Sequence, residues 1–261
     1  MDNILFNRFA PVIKSLTAAE LDGVPTVFEK LRIAADSKVE VSYAPFEHLN
    51  PDARLVIVGI TPGKTQMLNA LREARHQMDC GANTDAVLKA ALQTAAFSGP
   101  MRKNLIDMLD HVGVPRWLGL SSSAELFGAA AHLVQWTSVL RNPVFHGGAN
   151  YNGTPSMVRN EILRKQIVDG FGQDARQLKR AMFVPLGGKV AEGLQFLVSQ
   201  GVIQERQILG QLPHPSHASA ERVAYFLGRK KKALLSIKTD PDKLDLARTA
   251  MMSRMAGLIT A

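Results

Sequence analysis

The sequence has few of the features that would define a disulfide-linked or membrane-spanning protein. Its 261 residues include one cysteine, Cys80, which excludes a disulfide framework and a cysteine-ligated zinc or iron–sulfur site. No apolar stretch approaches the roughly 18 residues that a transmembrane helix needs. The first residues lack the basic and apolar regions of a secretory signal peptide. We therefore expect a cytoplasmic protein with no membrane partner.

Aromatic residues are also few, at 6%, but hydrophobic residues make up 46% of the chain and charged residues 21%. This is an ordinary globular composition, and the length suits one large domain. The net charge is +8 and the isoelectric point is about 9.7, an excess that favours a polyanionic partner such as nucleic acid. The densest basic segment, Arg229 to Lys232, is equally compatible with a solvated helix end.

Four apolar segments predict buried strands, at 54–60, 132–140, 181–186 and 206–212. Helical periodicity predicts helices around them, at 64–79, 84–96, 101–112, 123–131, 156–168, 189–200, 219–235 and 241–258. This alternation predicts an α/β fold, a three-layer α/β/α domain with a central four-stranded parallel sheet. We expect a single domain over 1–261, with a helical N-terminal extension over 1–50, an irregular loop over 141–155 and a helical C-terminal extension over 236–261.

Two polar loops directly follow predicted strands. Gly59-Ile60-Thr61-Pro62-Gly63 follows the first strand, and His214-Pro215-Ser216 follows the fourth. Ligands of open α/β sheets bind outside the carboxyl ends of the strands. The pattern therefore predicts one site built from both loops.

The first loop continues into Lys64-Thr65, which invites a comparison with phosphate-binding loops. The Walker pattern needs four residues between its first glycine and Gly-Lys-Thr, but only three separate Gly59 from Gly63. Pro62 also removes a backbone N–H from a loop that would have to donate N–H groups to phosphate. A nucleoside triphosphatase is therefore only a minor alternative, beside a turn that serves structure alone.

His214 lies in a loop stiffened by Pro213 and Pro215. A fixed neutral imidazole can donate one hydrogen bond to developing negative charge. A single histidine is more often a structural residue than a catalyst. Its position after a strand and before a basic helix favours function.

These motifs, in this order, resemble those of the uracil-DNA glycosylase superfamily over most of residues 50–230. Gly59 to Gly63 matches its Gly-x-x-Pro-Gly loop, and His214 to Ser216 matches its His-Pro-Ser loop. Ala96 to Gly99 resembles the segment that carries a base-stacking phenylalanine in one branch. Residues 136–143 resemble that branch's second strand, and 185–191 its leucine-glycine turn into a helix.

The resemblance implies a flipped-base mechanism that uses neither metal nor cofactor, on DNA that is single- or double-stranded. His214 would stabilise the leaving base and Thr61 would orient the attacking water. Phe97 would stack on the base. The base edge would be lined by Gly59, Ile60, Thr137 and Ser138. Phosphates would be held by Gly63, Lys64, Ser216, Arg222, Arg229 and Lys230.

The sequence departs from the family at positions that matter. Thr61 stands where active relatives often carry Asp or Asn, and threonine cannot act as a general base near neutral pH. Thr137 or Ser138 stands in place of the base-reading asparagine. Two alternatives therefore stay open: a non-catalytic nucleic-acid-binding module on the same fold, and a hydrolase of small nucleosides or nucleotides. The oligomeric state is unknown from the sequence.

Overall fold

Two sheets of different construction organise the chain in the computed structural model, which describes residues 4–96 and 100–260. The strands are β1 Arg32–Ala35, β2 Val39–Ser42, β3 Leu55–Gly59, β4 Val134–Ser138, β5 Val144–His146, β6 Ala149–Asn150 and β7 Met182–Pro185. The α-helices are α1 Ile4–Ser15, α2 Ala18–Leu21, α3 Thr26–Lys30, α4 Lys64–Asp79, α5 Thr84–Ala95, α6 Pro100–His111, α7 Val114–Leu118, α8 Glu161–Gln166, α9 Gly172–Gln177, α10 Gly188–Ser199, α11 Ala220–Phe226 and α12 Pro241–Thr260.

The chain groups into two compact units, each built from three separate segments. Unit 1 comprises 1–49, 60–96 and 136–176, and unit 2 comprises 50–59, 97–135 and 177–261. The predicted mixed α/β class is confirmed. The single-domain organisation stays a prediction. Within the described ranges, we find no helix with the length and apolar character that crossing a membrane requires.

Unit 1 combines a helical core with an antiparallel sheet. In α4 the side chains of Met67, Leu68, Leu71 and Ala74 are buried, and this spacing places them on one face of the helix. That face packs in a core with α1 and α5. The sheet has the order β1-β2-β5-β6, with β2 paired to both β1 and β5 in antiparallel register.

In unit 2, β3 is buried along its whole length and pairs in parallel with β7, from Leu55 opposite Met182 to Val58 opposite Pro185. A run of four aliphatic residues without polar alternation is typical of a strand covered on both faces. The sheet order is β4-β3-β7, where β4 begins in unit 2 and ends in unit 1. This sheet has three parallel strands.

The prediction of a fourth strand at 206–212 is wrong, and the backbone explains why. Only two isolated parallel bridges, Phe183 with Ile208 and Leu186 with Leu212, link this segment to β7. Between the bonds from Leu209 N to Phe183 O and from Leu212 N to Pro185 O, the segment has one residue more than β7. That extra residue forms a bulge, and Pro185 has no N–H to donate to the segment, so no continuous ladder forms.

The expectation that residues 1–50 are only helical is also wrong, as is the expectation that 141–155 is irregular. Both regions contribute strands to the antiparallel sheet of unit 1, namely β1 and β2 from the first and β5 and β6 from the second. These strands are two to four residues long. Such short strands show too few alternations to be recognised by period.

The bulge at Gly210 yields a stability prediction. Its φ is +144°, and an added Cβ would lie 2.9 Å from the Cβ of Met251 and 3.3 Å from its Cα. We expect Gly210→Ala to lower the free energy of unfolding by ~2–4 kcal/mol, through strain and overpacking. Chemical denaturation measures this loss.

Gly201→Ala is the matched control in the same unit. Gly201 has a φ of +65° but no atom within 4 Å of an added Cβ, so it isolates the backbone cost of about 1–2 kcal/mol. A loss in Gly210→Ala no greater than that in Gly201→Ala would contradict the prediction.

Candidate functional site

The His-Pro-Ser loop of unit 2 holds its histidine in a defined protonation state. The backbone N–H of Ser216 donates to Nδ1 of His214 at 3.2 Å. A nitrogen that accepts a hydrogen bond carries no proton, so the proton of the neutral ring is on Nε2. Burial lowers the pKa of His214 below its usual value. The ring is therefore a neutral imidazole near pH 7, with Nε2–H available to donate.

Helix α6 fastens this loop from a distant part of the sequence. The Asn104 side chain donates its Nδ2–H to the carbonyl oxygen of Pro215 at 2.9 Å. Since Pro215 is the residue after His214, this bond limits how the backbone beside the imidazole can move. Sequence reasoning did not find Asn104. Nothing in its helix distinguishes this asparagine from an ordinary polar surface position.

Thr61 joins two segments of unit 1 through both functions of its hydroxyl group. Its Oγ1–H donates to the carbonyl oxygen of Asn142 at 3.0 Å, and Oγ1 accepts the backbone N–H of Val144 at 3.0 Å. One lone pair is left to accept a hydrogen bond from a water. The role of Thr61 in orienting water stays a prediction, and it can use only that lone pair.

Some of the residues predicted to line the base lie on two segments of unit 1 that are joined by a backbone hydrogen bond. Leu140 donates its backbone N–H to the carbonyl oxygen of Ile60 at 3.0 Å. This bond brings the segment after β4 beside the first loop. Thr137 and Ser138 are the half-buried last residues of β4. Gly59 ends β3 in unit 2, and Phe97 lies outside the described residues.

The start of α4 already satisfies its own backbone groups. The N–H of Gly63 donates to Oε1 of Gln66 at 2.8 Å, and the N–H of Lys64 donates to Oδ1 of Asn150 at 2.9 Å. The Lys64 ammonium donates to the carbonyl oxygen of Gly23 at 2.9 Å. A phosphate bound here would have to displace these partners. Gly63 and Lys64 can therefore bind phosphate, as predicted, only if the phosphate replaces these partners.

A cavity of about 450 Å³ in unit 1 lies beside the start of α4. It is lined by aromatic rings and by side chains of both charge signs, among them Phe28, Phe145, Lys64, Arg32 and Glu40. The volume is in the range of small-molecule sites. Balanced charge at the rim suits a small neutral ligand better than a polyanion.

The predicted phosphate-binding cations of unit 2 have intramolecular partners. Arg229 lies 2.8 Å from Asp107, and Lys230 lies 2.7 Å from Glu221. Arg222 donates to the carbonyl oxygen of Lys238 at 3.4 Å. Part of the positive charge of the basic segment 229–232 is therefore neutralised within the protein.

The net charge is nevertheless unevenly distributed. Unit 2 has 17 Lys and Arg against 10 Asp and Glu, and unit 1 has 14 against 13. Thus +7 of the net charge of +8 belongs to the unit that carries His214. An anionic ligand is attracted mainly to this unit.

Unit 1 contains a group of buried ionisable residues that was not predicted from the sequence. The Arg141 guanidinium contacts both carboxylate oxygens of Asp174 at 3.0 Å, and the Tyr43 hydroxyl donates to Oε2 of Glu47 at 3.1 Å. Within the described ranges, Oε1 of Glu47 is buried without a hydrogen-bond partner. Burial raises the pKa of the Glu47 carboxyl to about 7, against the opposing effect of Arg141. The Arg141 guanidinium thus pairs with Asp174, while the buried Glu47 carboxyl has its hydrogen bond from Tyr43 and tends to hold its proton.

The described ranges contain no group of three or more His, Cys, Asp or Glu that could hold a metal ion. The predicted residues are distributed over both units. Ile60, Thr61, Gly63, Lys64, Thr137 and Ser138 belong to unit 1, and Gly59, His214, Ser216, Arg222, Arg229 and Lys230 belong to unit 2. The structure brings Ile60 and Thr61 beside the segment that follows Ser138, and Ser216 against His214.

These features define an α/β protein in which one polar loop follows the buried strand β3 and the other follows the segment that bridges to β7. The chain is 33% identical over 236 residues to the uncharacterized protein YoxB of Bacillus subtilis (strain 168), over 89% of this chain and 90% of that protein. The chain therefore belongs to the YoxB family. No protein-family model matches the chain, and no solved structure matches it.

The buried carboxyl of Glu47 makes stability depend on pH. Because its pKa is raised from 4.5 to about 7 on folding, the folded state binds more protons than the unfolded state between those values. Stability therefore falls as pH rises through this window. At about 1.4 kcal/mol per pKa unit, the loss amounts to ~3 kcal/mol at most. We expect Glu47→Gln to be more stable than the wild type at pH 8, with little difference at pH 4.5.

Urea denaturation at several pH values tests this expectation, with Glu29→Gln, an exposed carboxyl of the same unit, as the control for loss of one charge. A wild-type protein whose dependence on pH matches that of Glu47→Gln would contradict it.

Proposed function

We propose that the protein is a DNA glycosylase-like enzyme that hydrolyses the N-glycosidic bond of a flipped deaminated base, uracil or a similar one, as in base excision repair. The observation that carries the proposal is the state of His214: half-buried and neutral, with Nδ1 occupied by Ser216, which leaves Nε2–H as the donor of the ring. The uneven charge supports it, because the unit that carries this histidine holds nearly all of the positive excess. On the resemblance, we expect the helices to form layers on both faces of the parallel sheet.

The chemistry asks for a hydrogen-bond donor at the leaving base. As the bond from the sugar C1′ to the base nitrogen breaks, its electron pair passes to the base, and negative charge develops on the carbonyl oxygens of the base. Nε2–H of His214 stabilises that charge as a preorganised donor. Water adds to C1′ and loses one proton, which passes to solvent or to the base.

The state of Thr61 favours a second candidate, a nucleic-acid-binding module on the same fold. Its hydroxyl proton is committed to Asn142 and its oxygen to Val144, so it holds a water weakly and cannot take its proton near neutral pH. The module would bind DNA in a salt-sensitive manner and release no base.

Base release from labelled oligonucleotides separates the two functions. We expect the wild type to form alkali-labile sites in DNA that contains uracil, hypoxanthine or xanthine, single- or double-stranded, and His214→Ala to lose this activity by a factor of 100 or more (~3 kcal/mol of transition-state stabilisation). Because burial lowers the pKa of His214 below 6.5, the ring is neutral at higher pH and the wild-type rate should stay level from pH 7.5 to 8.5.

The exposed neighbour His217 provides the matched control, since His217→Ala removes an imidazole from the same loop and should leave the rate unchanged. Salt-sensitive binding with no base release from any substrate would overturn the glycosylase and favour the binding module.

Asn104 should act through His214 as a positioning residue. We expect Asn104→Ala to reduce the rate of base release about tenfold, because Pro215 loses its tie to α6, while the affinity for the oligonucleotide is unchanged. Single-turnover rates and binding isotherms separate the two quantities. Asn104→Asp keeps the side-chain size but cannot donate this bond when ionised, so it should fail to restore the rate. If Asn104→Ala released base at the wild-type rate, Asn104 would have no role in positioning His214.

A further inference from the structure

The opposite end of the unit 2 sheet carries a second concentration of positive charge. Arg54 immediately precedes β3, Lys179 and Arg180 precede β7, and Arg206 lies in the 3₁₀ turn Glu205–Gln207 before the last bridge-forming segment. All four side chains belong to exposed residues. Since the segments run in parallel, these cations lie at their amino ends and His214 follows a carboxyl end.

Hydrogen bonds join the backbone segments that carry these cations. Nε2 of Gln207 donates to the carbonyl oxygens of Lys179 at 3.2 Å and Ala181 at 3.3 Å, which fastens the turn with Arg206 to the turn with Lys179 and Arg180. Met182 donates its backbone N–H to the carbonyl oxygen of Arg54 at 2.8 Å. Neighbouring strands lie about 4.8 Å apart, so the three segments set these residues side by side.

Residues of the basic segment 229–232 are paired with carboxylates, whereas these cations are not in the part of the chain that the structure describes. Within the described ranges, no carboxylate oxygen lies within 4.0 Å of the charged nitrogens of Lys179, Arg180 or Arg206. Arg54 lies over the Trp117 ring at 5.0 Å. The nearby Glu205 accepts from Gln195 and faces Arg254 at 4.0 Å. Four like charges held on one rigid edge repel one another unless an anion lies across them.

We infer that this amino-terminal edge, formed by Arg54, Lys179, Arg180 and Arg206, binds the phosphate backbone of nucleic acid. Regularly spaced phosphates match a row of separate cations, and arginine binds phosphate oxygens in bidentate geometry. Contacts to phosphates alone carry no sequence information. The edge therefore tethers nucleic acid of any sequence, independently of the base chemistry proposed at the opposite end of the sheet.

The test compares two double variants that remove the same charge from unit 2. Arg180→Gln with Arg206→Gln alters the proposed edge. Lys189→Gln with Lys243→Gln removes cations that are paired with Glu192 and Asp240. Binding of a labelled, unmodified 20-base-pair duplex is measured by fluorescence anisotropy between 25 and 200 mM salt. Thermal unfolding confirms that each variant is folded, as expected for exposed positions.

We expect the edge variant to bind at least tenfold more weakly at low salt, with a slope of log affinity against log salt that is smaller by about 2, since each phosphate contact contributes about 0.9. The control variant should change the slope by less than half of that amount. The weakening should be the same for duplexes of different sequence. An edge variant with the wild-type slope, an equal loss in the control, or a wild type that does not bind the duplex would overturn the inference. Because the duplex contains no damaged base, the result is independent of whether base release occurs.

Discussion

The parallel pairing of β3 with β7 is the constraint on which the rest of unit 2 depends. β3 is fully buried, so its register against β7 is fixed by packing on both faces, and a slip by one residue would move every side chain to the opposite face. That register sets where β3 ends, at Gly59. It also sets where the β7 carbonyls receive Leu209 and Leu212, and through them the position of the loop that carries His214.

Sequence reasoning succeeded where a long apolar period dominates. The bounds of α4, α5, α6 and α10, and the strands β3 and β7, follow the predictions within one or two residues, because burial alone selects the period. It failed where a local feature opposed the period. In 206–212 the apolar residues continue, but Gly210 adds a residue and Pro185 withholds a donor, so the segment lies beside β7 without becoming a strand. The four strands of the antiparallel sheet are too short to show any period.

The candidate site also has parts that the sequence could predict and parts that it could not. The two polar loops could be located from the sequence because Gly and Pro mark where the apolar segments before them end. Contacts over long sequence separations could not be located. Asn104 meets Pro215 across 111 residues, and Arg141 meets Asp174 across 33. Thr61 also shows that a residue in the predicted position can have its hydroxyl group committed to the backbone, which no spacing rule reveals.

The interleaved course of the chain has a consequence for how the protein is made. Each unit needs three stretches of sequence, and unit 2 gains β7 and the segment after it only from residues beyond 177. During synthesis, the early residues of β3 therefore emerge long before their partner exists, and an apolar strand must wait unpaired. Neither unit corresponds to a continuous fragment, so a truncation at any single point removes part of at least one of them. For the same reason, we expect recombination in this family to exchange whole chains more readily than pieces.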